Sequence, residues 1–152
     1  MSTLLEQLRQ ARDSGDFSAL VAAVPYARFL GVTLETRGGE LVGRMRYGDH
    51  LVGNPTVPAL HGGTLGALLE LAAQFELLYR ADSVLVPKTI TLTIDYLRSA
   101  KPVDTWVRAK VVRHGRRVAT VHAAAWQDDE ARPVATANVT MLVKAELPAT
   151  PG

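Results

Sequence analysis

Short apolar patterns at helical spacing fill the first part of the chain. Leucine and alanine recur every three to four positions over residues 3–14, which predicts a helix with Ser2 or Thr3 as its cap. A second short helix is expected before Pro25, which ends it because proline cannot continue a helix. Together they predict an N-terminal helical segment over residues 1–24.

A hairpin, a loop and one long helix follow. A strand is predicted over residues 32–37, Gly38-Gly39 marks a tight turn, and a second strand returns over residues 40–47. Glycine and proline turns make residues 48–60 a loop. Residues 62–79 form the only long predicted helix, which spans about 27 Å at 1.5 Å per residue.

Beyond Pro87 the pattern changes to that of strands. In residues 88–97 the side chains of Thr89, Thr91 and Thr93 fall on one face, and the aliphatic side chains fall on the other. Three further segments enriched in β-branched residues are predicted as strands, at 104–113, 117–127 and 133–144.

The connections between the last four strands are short, which predicts antiparallel neighbours because a parallel crossover needs a dozen or more residues. Two strands, one long helix and four further strands predict an α+β fold. The expected architecture is the hotdog fold, in which a curved antiparallel sheet of about six strands wraps a central helix. This domain is predicted over residues 25–147, with residues 148–152 as a frayed tail.

The composition narrows the chemistry more than the partners. The 152 residues carry 17 Lys+Arg and 15 Asp+Glu, a net charge of +2 that gives little support to a nucleic acid or membrane partner. The chain has no cysteine, so disulfides, thiolate metal sites and cysteine nucleophiles are excluded. No metal site is expected from the histidine spacing. The N-terminus lacks the features of a signal peptide, so a cytoplasmic location is the default expectation.

The long helix has two different faces. One is an apolar stripe predicted to face the sheet, made of Leu65, Leu68, Ala72, Phe75 and Tyr79. The other is a line of small residues with one carboxylate and one amide, made of Gly63, Gly66, Ala67, Glu70, Ala73 and Gln74. A helical glutamate most often lies in solvent, but small neighbours would let a second backbone or a ligand approach this one closely.

The helix starts with the sequence His61-Gly62-Gly63, which exposes backbone N–H groups that have no partner within the helix. Such donors can polarise a carbonyl oxygen, as in an oxyanion hole. Glu70 lies eight residues beyond Gly62, or about 12 Å along the helix. One helix cannot easily present both groups to one substrate carbon, whereas two antiparallel helices can. A homodimer with shared active sites is therefore predicted.

The segment from Leu60 to Glu70 resembles the HGG-plus-carboxylate motif of hotdog acyl-CoA thioesterases of the phenylacetate-pathway (PaaI-like) type. The resemblance extends over about residues 25–145. It includes an entry to the first strand, an Asn before the His, the strand after the helix and the hairpin that follows, at residues 25–32, Asn54, 89–100 and 112–117. It implies hydrolysis of acyl-CoA, with coenzyme A as part of the substrate and with no separate cofactor.

The resemblance also implies a role for each matching residue. Glu70 would be the catalytic carboxylate, as nucleophile or as general base, and the Gly62 N–H would polarise the thioester carbonyl. Asn54 would hold the substrate or the water, His61 would order its loop and contact the carbonyl, and Thr89 would position water. His61 is as readily explained as a structural hydrogen-bonding residue, and Thr89 as ordinary strand composition.

Further residues are expected to contact the substrate. Gly63 and Gln74 lie on the small-residue face of the helix. Two basic loops would clamp the phosphates of coenzyme A, although a solvated surface is the simpler reading; they contain Arg98, Lys101, Arg113, Arg116 and Arg117. An apolar acyl pocket for medium-chain or aromatic groups is expected near Leu51, Val52, Gln74, Leu77 and Leu78.

Two other functions are compatible with the same fold. The first is a hydratase or dehydratase, since Glu70 to Gln74 faintly resembles the acid-bearing helix of the acyl-carrier-protein dehydratases. Neither His50 nor His61 has the spacing from Glu70 that those enzymes use. The second is an acyl-CoA-binding domain without catalysis. By family analogy the homodimer is expected to form a dimer of dimers.

Overall fold

The sheet starts with the hairpin that the glycine pair predicts. The computed structural model describes residues 3–80 and 85–144, and in it Gly38 and Gly39 have φ angles of 59° and 79°, which favour glycine. The strands are Val32–Arg37 (β1), Glu40–Met45 (β2), Val52–Asn54 (β3), Ala59–Leu60 (β4), Lys88–Tyr96 (β5), Thr105–His114 (β6), Val118–Trp126 (β7) and Ala135–Leu142 (β8). The helices are Leu4–Ser14 (α1), Ser18–Ala22 (α2), Pro25–Leu30 (α3) and Gly62–Arg80 (α4).

The N-terminal helices follow local capping rules. Thr3 caps α1 in a capping box, in which its hydroxyl accepts from the Glu6 N–H at 3.2 Å and the Glu6 carboxylate accepts from the Thr3 N–H at 2.9 Å. Pro25 was expected only to end a helix, and the third helix that it begins was missed. A proline at the first helical position loses no intrahelical hydrogen bond, so it starts α3 as readily as it ends α2. The expected tail at 148–152 lies outside the described residues.

The six-stranded sheet has the order β1-β2-β6-β7-β8-β5, and every neighbouring pair is antiparallel. The prediction that β5 and β6 are neighbours is wrong, because β5 pairs with β8. Residues 97–104 instead cross the end of the sheet. β5 and β6 are three strand positions apart in the sheet, or about 14 Å. A connection of eight residues spans that distance easily. The connection is held where the Leu97 N–H donates to the Val134 carbonyl at 2.9 Å.

Helix α4 packs across this sheet with the predicted apolar stripe facing inwards. Leu65, Leu68, Ala72 and Phe75 are buried, and they join core residues of β6, β7 and β8 in one cluster. Tyr79 at the end of the stripe is half-buried and packs on Phe17, with ring centroids 5.9 Å apart. Helix α1 contributes to the same cluster through Leu8 and Ala11.

Strand β5 forms one edge of the sheet, so its outer hydrogen-bonding side has no neighbouring strand within the described residues. Large apolar side chains, Ile90 and Tyr96 among them, are exposed along it. Within the described part of the chain, no helix has both the length and the apolar character needed to cross a membrane.

Candidate active site

The turn that begins α4 leaves one backbone donor free. His61 caps the helix, since its Nδ1 accepts from the Gly63 N–H at 2.8 Å and its carbonyl accepts from the Thr64 hydroxyl at 2.6 Å. The His61 N–H donates to the Leu51 carbonyl at 2.8 Å, which ties the helix start to the preceding loop. Among the described residues the Gly62 N–H has no hydrogen-bond partner. It is therefore the group in this turn that a carbonyl oxygen can use.

The glycines of the turn are required by close contacts within the chain. A Cβ atom on Gly62 would lie 3.2 Å from the Tyr96 ring, and one on Gly63 would lie 2.9 Å from His61 Nδ1. A Cβ on Gly66 would lie 2.7 Å from Ile94 of β5. Gly66 is thus covered by its own chain and is not open to a ligand, contrary to the prediction for the small-residue line.

Other residues of the small-residue line are accessible to solvent, and Glu70 is one of them. Gly63, Ala67, Glu70 and Gln74 are at least partly exposed, whereas Ala73 is buried like Gly66. The half-buried Glu70 carboxylate has no hydrogen bond or ion pair with any residue of 3–80 or 85–144. It is available to accept a proton or to attack an electrophile.

A β-bulge turns Thr89 towards the helix. Thr89 pairs with Met141 and Thr91 pairs with Thr140, so Ile90 is an extra residue in the ladder. The predicted alternation, which put Thr89 on the same face as Thr91, is therefore wrong: Thr89 faces the core side, as its pairing with the buried Met141 requires. Its hydroxyl is buried and has no hydrogen-bond partner.

Thr89 lies close to the part of α4 that carries Glu70. The Gln74 side-chain amide donates to the Pro87 carbonyl at 3.4 Å, which places the start of β5 beside the helical turn that follows Glu70. Gln74 is thereby partly occupied in holding β5. A buried hydroxyl without a partner is a suitable place for a bound water.

The Asn54 side chain is held within its own loop. The Asn54 side-chain oxygen accepts from the Thr56 N–H at 2.9 Å, so it closes its own turn, while the amide nitrogen has no hydrogen bond to a described residue. Gly53 packs against His61, which joins this β3–β4 ribbon to the start of α4. Within the described ranges, no three His, Cys, Asp or Glu side chains are grouped closely enough to hold a metal ion.

Comparison with known proteins decides the family. The model of the acyl-CoA thioesterase N-terminal domain matches residues 53–142, more than half of the chain. This chain belongs to the acyl-CoA thioesterase family. It is thus a thioester hydrolase. None of the curated proteins searched matches this thioesterase.

Solved structures share the hotdog fold of this thioesterase. A Chromobacterium violaceum protein is 32% identical with a TM-score of 0.74, and the match covers 91% of this chain and 96% of that one. A phenylacetic acid degradation-related protein from Ralstonia eutropha is 25% identical with a TM-score of 0.71, covering 90% and 99%. A Bacillus halodurans protein solved with CoA is 18% identical with a TM-score of 0.72, covering 97% of each chain, which shows a common fold.

The thioesterase has its two basic loops at opposite ends of the sheet. Arg98 follows β5, beside the start of α4, because the neighbouring Ala100 carbonyl accepts from the Leu60 N–H at 3.0 Å. The exposed Arg113, Arg116 and Arg117 lie at the β6–β7 hairpin, by the far end of the strands. One chain therefore does not bring the two loops to the same nucleotide.

A cavity of about 210 Å³ lies beside Arg98. One of the cationic side chains that line it, Arg132, was not predicted from the sequence. Its lining residues are Arg98, Ser99, Lys101, Gln127, Asp128, Asp129, Arg132 and Val134. Arg132 belongs to the β7–β8 connection and reaches Arg98 only because β5 pairs with β8. No motif in the sequence marks that proximity.

The expected acyl pocket is largely absent from a single chain of the thioesterase. Leu51, Leu77 and Leu78 are buried in the core cluster, so they do not line an open pocket. Val52 and Gln74 are half-exposed and remain available to contact a substrate.

Proposed function

We propose that this thioesterase hydrolyses medium-chain or aromatic acyl-CoA in active sites shared between two subunits. Glu70 of one subunit and the Gly62 N–H of the other act on the same thioester carbon. One observation carries the proposal: both groups lack a partner among the described residues, yet they lie eight residues apart on one helix. That spacing is about 12 Å, too far for both to reach one carbon in a single chain.

The chemistry needs only a carboxylate and a backbone donor. The thioester oxygen accepts from the Gly62 N–H, which stabilises the negative charge that develops there. Glu70 either takes a proton from the attacking water or attacks the carbonyl carbon itself. The C–S bond then breaks and coenzyme A leaves as a thiolate, which takes up a proton; when Glu70 attacks, water hydrolyses the resulting anhydride. The unpartnered Thr89 hydroxyl holds the water in place.

The free edge of β5 supports the shared site. An exposed strand edge with large apolar side chains favours pairing with a second copy, and most homodimers are two-fold symmetric. Gly66 is midway between Gly62 and Glu70 in sequence. A two-fold axis that crosses α4 at the level of residue 66, on a side of the helix that β5 does not cover, would therefore put each Gly62 opposite the partner's Glu70. A dimer of dimers remains a prediction, and so does the cytoplasmic location.

The substrate class rests on two kinds of support. Three cationic side chains, Arg98, Lys101 and Arg132, line the cavity beside Arg98 together with the Asp128 and Asp129 carboxylates, which leaves an excess of one positive charge for the phosphates of coenzyme A. In the dimer the β6–β7 hairpin of the partner would supply the second basic loop. The similarity to a phenylacetic acid degradation-related protein favours an aromatic acyl group. Because three of the five residues expected to line the acyl pocket are in the core, the acyl group is proposed to lie between the subunits, near Val52 and Gln74.

A panel of thioesters tests the proposal. Acetyl-, octanoyl-, palmitoyl- and phenylacetyl-CoA are offered to the wild-type protein, to Glu70→Gln and to Gly62→Pro, and free thiol release is measured. Octanoyl- or phenylacetyl-CoA should be cleaved fastest, and both variants should be nearly inactive. Proline at the first helical position removes the Gly62 N–H without removing an intrahelical bond. It also brings a Cβ to 3.2 Å from the Tyr96 ring, so Gly62→Ala, which adds the same Cβ and keeps the N–H, is the control and should retain more activity than Gly62→Pro.

The proposal fails if no thioester in the panel is cleaved, or if Glu70→Gln cleaves as fast as the wild type. Crotonyl-CoA, followed in parallel for loss of its double bond, separates hydrolysis from hydration. Hydration faster than thiol release would favour the hydratase alternative.

A further inference from the structure

Tyr96 ends a hydrogen-bonded chain that passes through the first turn of α4. The Tyr96 hydroxyl donates to the Gly62 carbonyl at 2.8 Å. The N–H of the same peptide group, which belongs to Gly63, donates to His61 Nδ1 at 2.8 Å. One peptide plane is therefore held from both sides, by a strand residue and by the capping histidine.

We infer that Tyr96 is a positioning residue for the donor that polarises the thioester carbonyl, an inference that rests on the function proposed above. Gly62 and Gly63 have no side chains, so their backbone angles are weakly restricted by local sterics. The Gly62 N–H lies in the adjacent 61–62 peptide, which joins this plane at the Gly62 Cα. With the 62–63 plane fixed on one side and the His61 N–H bonded to the Leu51 carbonyl on the other, fewer orientations remain for the Gly62 N–H. A donor aimed in advance at the developing oxyanion stabilises it more than a donor that must reorient.

The Tyr96 ring adds a steric restraint to the hydrogen bond. Ring atoms lie 3.2 Å from the position of a Cβ on Gly62, and the hydroxyl lies 3.7 Å from that of a Cβ on Gly66. The ring thus lies against the first turn of the helix and limits its movement towards β5. Only a glycine at position 62 allows this contact without displacement.

The same series of hydrogen bonds sets the tautomer of His61. Because Nδ1 accepts the Gly63 N–H, the ring hydrogen of neutral His61 is on Nε2, which makes Nε2 a donor. Hydrogen bonds in a chain strengthen one another by polarisation. Tyr96 therefore supports two donors at the start of α4, the Gly62 N–H and the His61 Nε2–H.

The first test is kinetic and uses Tyr96→Phe, which removes the hydroxyl and keeps the ring. We expect kcat to fall by about tenfold with KM within about twofold, because the donor is displaced rather than deleted. The melting temperature should change by no more than about 3 °C. The matched control is Tyr26→Phe, since the Tyr26 ring is similarly exposed and stacks on Phe29; it should leave both constants unchanged.

The second test measures the polarisation of the carbonyl directly. Octanoyl-CoA with a ¹³C-labelled carbonyl is bound to Glu70→Gln, which holds it uncleaved, and its C=O stretch is recorded by infrared difference spectroscopy. Adding Tyr96→Phe to this variant should reduce the shift of the stretch to lower frequency. A stretch that is unchanged by the loss of the Tyr96 hydroxyl overturns the inference.

The two proposals fail in different ways. If the wild type cleaves no thioester, the proposed function is wrong. If the wild type is active and Gly62→Pro abolishes the activity while Tyr96→Phe matches the wild type, the site stands and the role of Tyr96 is wrong. A fall in kcat for Tyr26→Phe equal to that for Tyr96→Phe would also overturn it.

Discussion

Two glutamates on the same helix have opposite surroundings. The Glu76 side chain is only 7% exposed, and its carboxylate accepts from Arg80 Nε at 2.9 Å, one helical turn away. Glu70, which is half-buried, has no partner among residues 3–80 and 85–144. The chain thus satisfies one carboxylate of α4 and leaves the other open.

The difference separates stability from function. Partly removing a carboxylate from water without giving it a hydrogen bond costs free energy, so an unpaired acid such as Glu70 favours a functional site over a structural one. The Gly62 N–H and the Thr89 hydroxyl are unsatisfied in the same way. Glu76 belongs instead to the packed end of the helix, where substitution should affect folding and leave catalysis intact.

The largest effect is expected from substituting the two glutamates in parallel. Glu70→Gln should lower kcat by about a thousandfold or more, because the amide can neither take a proton nor attack, and should leave the melting temperature unchanged. Glu76→Gln should lower the melting temperature by roughly 3–6 °C through loss of the ion pair, with kcat within about twofold. Steady-state kinetics and thermal unfolding are measured on both variants. A loss of stability in Glu70→Gln together with a loss of activity in Glu76→Gln would contradict the assignment of catalysis to Glu70 and of stability to Glu76.

Thr89→Val should give a smaller effect with opposite signs for activity and stability. Valine replaces a buried hydroxyl that has no partner, so the melting temperature should rise by roughly 2–4 °C. Loss of the water-holding group should lower kcat by about tenfold. Thr93→Val, on the exposed opposite face of β5, should change neither quantity. A Thr89→Val protein as active as the wild type would remove Thr89 from the site.

The smallest effect, on stability alone, is expected from Asp104, which like Glu76 is a carboxylate with protein partners. Its carboxylate accepts from the Tyr47 N–H at 2.7 Å and pairs with Arg44, and the Tyr47 bond, followed by the Arg44 bond, lowers the pKa of Asp104 below its usual value. A carboxylate with a lowered folded-state pKa stabilises the protein above its unfolded-state pKa of about 3.9, and this contribution is lost as the pH falls through the lower folded-state value.

Asp104→Asn should therefore lower the melting temperature by roughly 2–4 °C at pH 7. The gap between variant and wild type should narrow below about pH 4, where the wild-type carboxylate begins to lose its advantage. Thermal unfolding across a pH series measures it, and thiol release at pH 7 should be unchanged. A difference in melting temperature that stays constant down to pH 2 would mean that the ionised Asp104 carboxylate does not stabilise the protein through Tyr47 and Arg44.

The order of elements could be predicted from local pattern, whereas the order of strands could not. Alternation and turn residues predict the Gly38-Gly39 hairpin and the later strands because they depend on near neighbours in sequence. The position of β5 beside β8 depends on which edge the strand reaches after α4, and no local pattern encodes it. The bulge at Ile90 is equally hidden, since alternation gives no sign of an extra residue.

The candidate site also has features that the sequence predicts and features that it does not. The motif from His61 to Glu70 marks the start of α4 as the candidate site, and the family resemblance that it carries predicts the reaction class, which the family match confirms. Which of its groups are already satisfied depends on tertiary contacts: Gly66 is filled by Ile94, and Asn54 closes its own turn. Tyr96 was seen in the sequence only as a strand residue, because its bond to Gly62 joins positions 34 residues apart.

The shared site is the central claim, and complementation between two inactive subunits tests it most directly. Gly62→Pro and Glu70→Gln chains with different affinity tags are co-expressed, and the heterodimer is purified through both tags. In a shared site the heterodimer contains one intact pair, Gly62 from one chain and Glu70 from the other, so its kcat should recover to about half that of the wild-type dimer. A heterodimer as inactive as either parent homodimer would contradict the account.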